Sequence, residues 1–479
     1  MIEYALWILA GTLYGTIIGV IPVAGATIGL LAVFGMTDSF LADPYLGVVF
    51  MTAFLGAVSS SDSFTSILTG IPGSGSTAAS IIDGYPMAKQ GQGGRAIGIA
   101  LMDSTVNGVF WGLLAFGLMP LYGKLILVFG IPEFAALMFL SLACVGFITV
   151  KNPWLSVVSI LLGLFLGLIG QDPATGAHRL TFDWEYLAAG IQIVPIIAGI
   201  FAVPEILDCL RGRISKPPPI TNYSKQLVQG FADCWRCRKD MIRGGVIGFF
   251  TGILPGVGGS AGDMMAYGAT VAKNPDEKFG NGNPRGLIGC EGANNAQKPA
   301  SLIPTILFGI PGAPFAALMM AICVMLGLEL GTPALLEDQK FIWSVGAGFL
   351  ISTVLSFFIC LFIAKWVVKI LEIPNWIYAS IIASIVVWSS MQYSGTANDL
   401  YILVICGIIG VIAKEIGLSR PAILLAYVVA EKFENYTQQS LTLYNWIEIL
   451  SRPLTLVLLA LSLVIVINSI RKYKGITFN

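Results

Sequence analysis

Charge is scarce in this sequence. Lys, Arg, Asp and Glu together make up 11% of its 479 residues, against about 25% in a typical soluble domain, which excludes a soluble globular fold. Histidine is scarcer still, because His178 stands alone in a polar stretch beside Arg179. A Ser-His or Cys-His nucleophile therefore has only one base to draw on. The eight cysteines are scattered, mostly in apolar runs where they act as small hydrophobes. Cys234 and Cys237 lie close together in "CWRC", but a zinc site takes four ligands, so they read as two reduced thiols. In "GIPGSGST" no Lys precedes the hydroxyl residues, which removes the P-loop reading. Asp263 in "GSAGD" lacks the Gly-x-Gly-Asp pattern of an intramembrane aspartyl protease, and Asp-rich diphosphate-binding runs are absent. Basic and acidic residues number 27 each, and no nucleic-acid partner is expected.

What is abundant is apolar length. Hydrophobic residues make up 56% of the chain and the mean hydropathy is +0.81. Trp154 to Ile169, Phe341 to Lys365 and Leu454 to Ile470 approach or reach the ~20 residues of a membrane-spanning helix. The composition predicts an all-α polytopic membrane protein of about 10–12 spans or part-spans. Between Arg211 and Arg243 stand eight Lys or Arg against two Asp, which marks a cytoplasmic loop. "RKYK" at Arg471 to Lys474 places the C-terminal end on the same side. The N-terminal segment, with Glu3 and no basic residue, is placed outside. "MIEYALWILAG" has no basic n-region, so no cleaved signal peptide is expected.

The chain also repeats itself. "GTLYGTIIGVIPVAG" (Gly11 to Gly25) returns as "GGVIGFFTGILPGVG" (Gly244 to Gly258). Gly11, Gly15, Gly19, Pro22 and Gly25 map onto Gly244, Gly248, Gly252, Pro255 and Gly258. "LTGIPG" (Leu68 to Gly73) returns as "LFGIPG" (Leu307 to Gly312). The expected organisation is an N-terminal transmembrane repeat (1–210), a basic cytoplasmic linker (211–243) and a C-terminal transmembrane repeat (244–479). An external N-terminus with a cytoplasmic linker implies that the repeats are inverted.

Glycine at every fourth position lets a neighbouring helix approach closely, and packing suffices to explain Gly11, Gly15 and Gly19. The Pro-x-x-Gly that follows interrupts the helix. Irregular backbone at membrane depth persists only where it is buried in protein or lines a wet cavity. Paired interruptions in two halves point to a transporter's central site.

Ionisable side chains inside the membrane are costly and mark function. Asp62 lies in "SSSDSFTS" before the first "GIPG", and Glu291 in "CEGANNAQKPAS" before the second. Carboxylate and hydroxyl oxygens beside carbonyls freed at helix breaks suit a hard cation. Ser61, Asp62 and Glu291 with the breaks Pro22–Gly25 and Pro255–Gly258 are therefore the cation-site candidates, although Asp62 also fits an N-cap in a Ser-rich turn. Exposed N–H groups at Ser74, Gly75, Ser76 and Thr77, opening a half-helix, suit an anion such as a carboxylate. Gly312, Ala313 and Phe315 at the second tip, with Asn294 and Asn295, complete the substrate-site candidates. No catalytic residue, no cofactor and no metal beyond a coupling ion are expected. An intramembrane enzyme or a channel is the alternative, though a channel has less need of two broken halves.

Both "GIPG" segments, the two Pro-x-x-Gly breaks, "DGYPMAKQGQGGRAIG" (Asp83 to Gly98), "EGANNA" (Glu291 to Ala296) and "IGQDPATGAHRLTF" (Ile169 to Phe182) resemble the large membrane subunit of the tripartite tricarboxylate transporter family. "FGIPEFAALM" and "IGLSRPAILLAYVV" extend the resemblance over nearly the whole chain. It implies a permease of the bacterial inner membrane that works with a small four-helix membrane subunit. A periplasmic binding protein delivers a small organic carboxylate, and a sodium or proton gradient drives uptake, with an elevator-like motion expected. A homo-oligomer is left open. The family's first break usually reads Pro-Gly-x-Gly, but here it is Pro22-Val23-Ala24-Gly25. Its Gly-Gly-Ser-Thr-Thr is replaced by Ser59-Ser60-Ser61-Asp62-Ser63, and hydroxyl residues after the second tip by Ala313-Pro314-Phe315. A carboxylate other than citrate, less charged and held mainly by the first tip, is the expected substrate.

Overall fold

The computed structural model describes residues 2–149, 152–172, 175–211, 222–257, 260–371, 373–392 and 395–477. Gly258 and the "KPPP" of the linker lie outside the described residues. The protein is all-α and polytopic. In chain order the helices begin with α1 (Ile2–Val20), α2 (Gly25–Phe34), α3 (Pro44–Thr69), α4 (Ser80–Met87), α5 (Gly93–Gly117), α6 (Met119–Ile126), α7 (Ile131–Thr149) and α8 (Pro153–Gly167). A two-residue antiparallel ribbon then sets Gly170 opposite Arg179 and Gln171 opposite His178. Next come α9 (Ile193–Ile197), α10 (Val203–Arg211), α11 (Tyr223–Arg236), α12 (Arg238–Ile253), α13 (Ser260–Lys273), α14 (Pro284–Phe308), α15 (Pro314–Met325) and α16 (Pro333–Glu337). The chain closes with α17 (Gln339–Ile370), α18 (Asn375–Gln392), α19 (Asn398–Ile416), α20 (Arg420–Leu443), α21 (Trp446–Ser451) and α22 (Pro453–Thr477).

Seven helical stretches among the described residues are long and apolar enough to cross a membrane. Shorter apolar helices, Gly25–Phe34, Pro153–Gly167 and Pro314–Met325, accompany them. The large apolar side chains of α22 remain exposed at Leu456, Val457, Leu461, Leu463 and Val464, whereas α3 is enclosed almost throughout. In a membrane the first pattern suits contact with lipid and the second a helix surrounded by protein.

The two helices that carry the tips begin and end alike. Asp43 accepts from the Tyr45 N–H (3.1 Å) before Pro44 opens α3. Asn283 accepts from the Arg285 N–H (3.0 Å) before Pro284 opens α14. A short polar side chain satisfies an orphan donor, and proline sits where no N–H is needed. Both helices stop at a glycine in the left-handed region, Gly70 at φ 72° and Gly309 at φ 62°, a conformation that costs other residues about 1–2 kcal/mol.

Each tip helix lies against a glycine-striped partner. A methyl group on Gly11 or Gly15 would come within 2.6 or 2.5 Å of the Phe50 or Phe54 carbonyl oxygen. Gly244 and Gly248 lie as close to the carbonyls of Gly289 and Ala293. Thus α1 packs on α3, and α12 on α14, backbone to backbone at matching sequence positions. Tyr14 fastens the first pair to α2 through its hydroxyl, which donates to the Gly29 carbonyl (2.8 Å).

Of the segment expected as a linker (211–243), Tyr223–Arg236 fold as α11, an amphipathic helix laid on α5, while Arg211 closes α10 and residues 238–243 already belong to α12. Gly98 and Gly230 allow the contact, and Arg95 pairs with Asp233 at 2.5 Å. The Cys234 thiol is buried and faces the Ile99 carbonyl, while Cys237 is half-buried, and both are free thiols.

Candidate functional site: a cavity between two helix tips

The first tip is held by its own hydroxyls. After Gly70 the chain turns through Pro72, and the Gly73 N–H donates to Ser66 Oγ (3.1 Å). Ser66 Oγ donates in turn to Thr77 Oγ1 (2.7 Å). Thr77 Oγ1 accepts from the Ser74 N–H and donates to the Ser74 carbonyl (3.1 Å each). Thr77 is thus a buried internal clasp, which leaves Ser74, Gly75 and Ser76 to form the tip. The Ser74 hydroxyl donates to Asp62 Oδ2 and lies 2.9 Å from Ser76 Oγ. Gly73 sits so close beneath the Asp62 carbonyl that a Cβ would overlap it.

The second tip repeats this backbone with other side chains. The Gly312 N–H donates to Thr305 Oγ1 at 3.1 Å, again across seven residues, and Gly312 packs beneath the Ser301 carbonyl. Ala313 takes the extended conformation of Ser74, with φ −153° against −147°. Where Ser74, Gly75 and Ser76 stand at the first tip, the second has Ala313, Pro314 and Phe315. The breaks pack on the tips of their own halves. Gly256 donates its N–H to the Gly312 carbonyl (3.0 Å), and Gly25 lies against Ser74. Val23, which corresponds to Gly256, is held at φ 71° beside Gly256's 72°, a strained position for a β-branched residue.

Both tips line one cavity of about 600 Å³. Residues 23–28, at and after the first break, form part of its wall, with Asp62, Gln297, Lys298 and Ser301 from the tip helices. Phe201, Glu205, Asp208, Lys414 and Arg420 close the far side. Its charges are paired. Lys298 Nζ lies 3.0 Å from Asp62 Oδ2, and both side chains are almost wholly buried. Lys414 bridges Glu205 (3.4 Å) and Asp208. Arg420 Nη2 donates to Glu205 (3.0 Å), and its Nη1, buried at the wall, has no hydrogen-bond partner among the described residues.

Of the substrate-site candidates, Ser74, Gly75, Ser76, Ala313 and Phe315 line the cavity, whereas Thr77 and Gly312 stand behind it as tip supports. Asn294 is buried off the cavity, with its Nδ2 3.5 Å from Asp62 Oδ1. Asn295 is equally buried, on another side of α14. Of the cation-site candidates, Asp62 and Gly25 reach the cavity. Pro22 and Pro255 are buried in the breaks. The Ser61 hydroxyl lies 3.4 Å from the Gly15 carbonyl. Glu291 is fully buried and accepts from Ser63 Oγ (2.8 Å) and Ser80 Oγ (2.5 Å). Sequence reasoning missed the far wall. Glu205 and Asp208 sit one turn apart at the end of an apolar segment, and Lys414 and Arg420 flank the short "EIGLS" turn. That spacing was the available signal.

Comparison with known proteins agrees with the resemblance noted from the motifs. Residues 5–425 match the family model described as the Tripartite tricarboxylate transporter TctA family. A protein of Agrobacterium vitis, described as an uncharacterized 52.8 kDa protein in the TAR-I ttuC' 3' region, is 30% identical over 469 residues, covering 96% of this chain and 92% of that one. Another from the same organism, described as an uncharacterized protein in the TAR-II ttuC' 3' region, is 30% identical over 228 residues, 46% of this chain and 92% of that protein. No solved structure matches.

Proposed function

The chain belongs to the tripartite tricarboxylate transporter TctA family, and from that premise we propose that it moves a small, weakly charged organic carboxylate through the cavity between its two tips. It is a multi-pass transporter subunit rather than an enzyme. The observation that carries the proposal is the cavity's asymmetric, charge-paired lining. A carboxylate entering it meets the hydroxyls of Ser74 and Ser76 and the ammonium of Lys298 on one side. On the other it meets Ala313 and the Phe315 ring. Lys298, Lys414 and Arg420 are already balanced by Asp62, Glu205 and Asp208. A trianion would bring charge that nothing in the wall offsets, and uncompensated buried charge is expensive. A monocarboxylate or dicarboxylate fits this balance better than citrate.

The remaining parts of the reading follow the family. The subunit works in the bacterial inner membrane with a small membrane subunit and a periplasmic binding protein. Uptake is driven by sodium or protons, and the tips travel with their helices in an elevator-like step between inverted halves. The test is uptake of labelled carboxylates into proteoliposomes, with and without a sodium or proton gradient and the binding protein. Saturable, gradient-dependent uptake that favours a low-charge carboxylate is expected. Non-saturating flux indifferent to any gradient would instead indicate a channel, and citrate preferred with Ser74→Ala silent would refute the substrate assignment.

A further inference from the structure

The cavity does not account for all the buried polar chemistry. Behind it, where α3 and α5 pack between α14 and α17, lies a second group of polar side chains. Asp103 is fully buried, and its Oδ1 accepts from Asn107 Nδ2 (2.6 Å) while its Oδ2 has no hydrogen-bond partner among the described residues. Ser104 Oγ, and both Oδ1 and Nδ2 of Asn295, are likewise buried and unpartnered. None of these three residues lines the cavity.

Their neighbours bring them together. A methyl group on Gly292 would lie 3.3 Å from Asp103 Oδ1. Asn295 is one helical turn further along α14 on the same side, and its side chain leans back toward the N-terminal end of the helix. Gly108, one turn beyond Ser104 on α5, packs against Thr353. Ser104 therefore faces α17 near the level at which Ser356 Oγ donates to Ser60 Oγ (3.2 Å). These side chains are rich in oxygen, and among the described residues none of them is paired with a cation. The ionisable groups close enough to Asp103 to interact with it include Glu291, Cys234 and Cys290, none of them cationic. Lys298, the buried ammonium nearby on α14, is engaged by Asp62.

A carboxylate buried in this way requires a partner, since a bare charge in an apolar interior is costly. A proton would satisfy Asp103 alone and leave Ser104 and Asn295 without ligands. Hydroxyl, carboxamide and carboxylate oxygens together suit a hard cation. We infer that Asp103, Ser104 and Asn295 form a monovalent-cation site distinct from the substrate cavity. The inference deepens the proposed gradient-driven transport and rests on that reading for its physiological role. Asn294, the adjoining residue, reaches toward Asp62, so a cation on Asn295 and a substrate beside Asp62 bias the same turn of α14.

Thermal unfolding of the full chain in detergent, titrated with sodium chloride against choline chloride, tests the site without requiring transport. A ligand that binds only the folded state raises Tm with its concentration. The expected result is a sodium-specific, saturable rise in Tm that is lost in Asp103→Asn and retained in Asp62→Asn. Asn295→Ala and Ser104→Ala, which keep the carboxylate and guard against misfolding of the first variant, should weaken apparent sodium affinity by about tenfold or more. A rise equal in choline, one that survives in Asp103→Asn, or one lost only in Asp62→Asn would overturn the assignment. So would a Tm that responds to pH but not to sodium. Uptake in proteoliposomes separates the two proposals: a normal gradient-driven uptake with an unchanged sodium response in Asp103→Asn sinks the site and leaves the transporter reading standing. The sodium response without carboxylate uptake does the reverse.

Discussion

The two tips share a backbone and differ in chemistry. In each, a left-handed glycine ends a helix of about seven turns, and a hydroxyl seven residues back takes the N–H of a second glycine. That glycine lies beneath a carbonyl of the helix just left, Asp62 in one case and Ser301 in the other. At the next positions the first tip offers Ser74, Gly75 and Ser76, and the second Ala313, Pro314 and Phe315. The scaffold is thus kept where geometry leaves no freedom and altered where only the cavity is affected. On the proposed reading, substrate choice rests on the differences between these two nearly equal turns.

The sharpest way to break the comparison is at the shared glycines. Gly73→Ala and Gly312→Ala would each force a Cβ into a backbone carbonyl, and both should abolish uptake and sharply reduce folded protein in size-exclusion chromatography. If one is tolerated, the two backbones are not equivalent. The next largest effect belongs to the charged position of the first half. Asp62→Asn strands the Lys298 ammonium, and losing one partner of a buried pair typically costs about 3–5 kcal/mol. A clear fall in Tm is expected, much of it restored by adding Lys298→Met. Ser301→Ala, at the matching position of the second half, should change Tm far less.

Substrate contacts come third. Ser74→Ala and Ser76→Ala should each raise KM for the preferred carboxylate by about tenfold, equivalent to about 1.4 kcal/mol of lost hydrogen bonding. Phe315→Ala should instead relax discrimination among carboxylates of different bulk. The smallest effect is expected at the first break, where Val23→Gly relieves a left-handed β-branched residue. The gain is about 1 kcal/mol at most, because glycine is also more flexible when unfolded. Gly256→Val, the opposite exchange in the second half, should lower Tm by a comparable or larger amount.

The all-α membrane fold could be read from the apolar runs, and the tips from "GIPG", because both follow from local rules of backbone and lipid. A left-handed glycine or a missing proline N–H announces itself within a few residues. The far wall of the cavity was not legible in this way. Glu205 stands 209 and 215 positions before Lys414 and Arg420, and only the packing of α10, α19 and α20 turns them toward the tips. Asp62 was visible as an intramembrane acid, but its partnership with Lys298, 236 residues away, was not. Asn294 and Asn295 look alike in sequence. Their position on the helical wheel sends one toward Asp62 and the other to a different side of α14, and a string of letters does not display that rotation.

The glycine-striped contacts between α1 and α3 and between α12 and α14 have a mechanical consequence. Backbones that touch at every turn cannot slide by a fraction of a turn without driving side chains into carbonyls, so each pair behaves as a splinted beam. Bending is then confined to the unsplinted joints, the turns after Gly19 and Gly252. Those joints carry Val23 and Gly256 and rest directly on the tips. If the proposed transport role holds, a substrate pressing on a tip would meet a pivot rather than a spring, and the push would rotate a whole beam instead of being absorbed along its length.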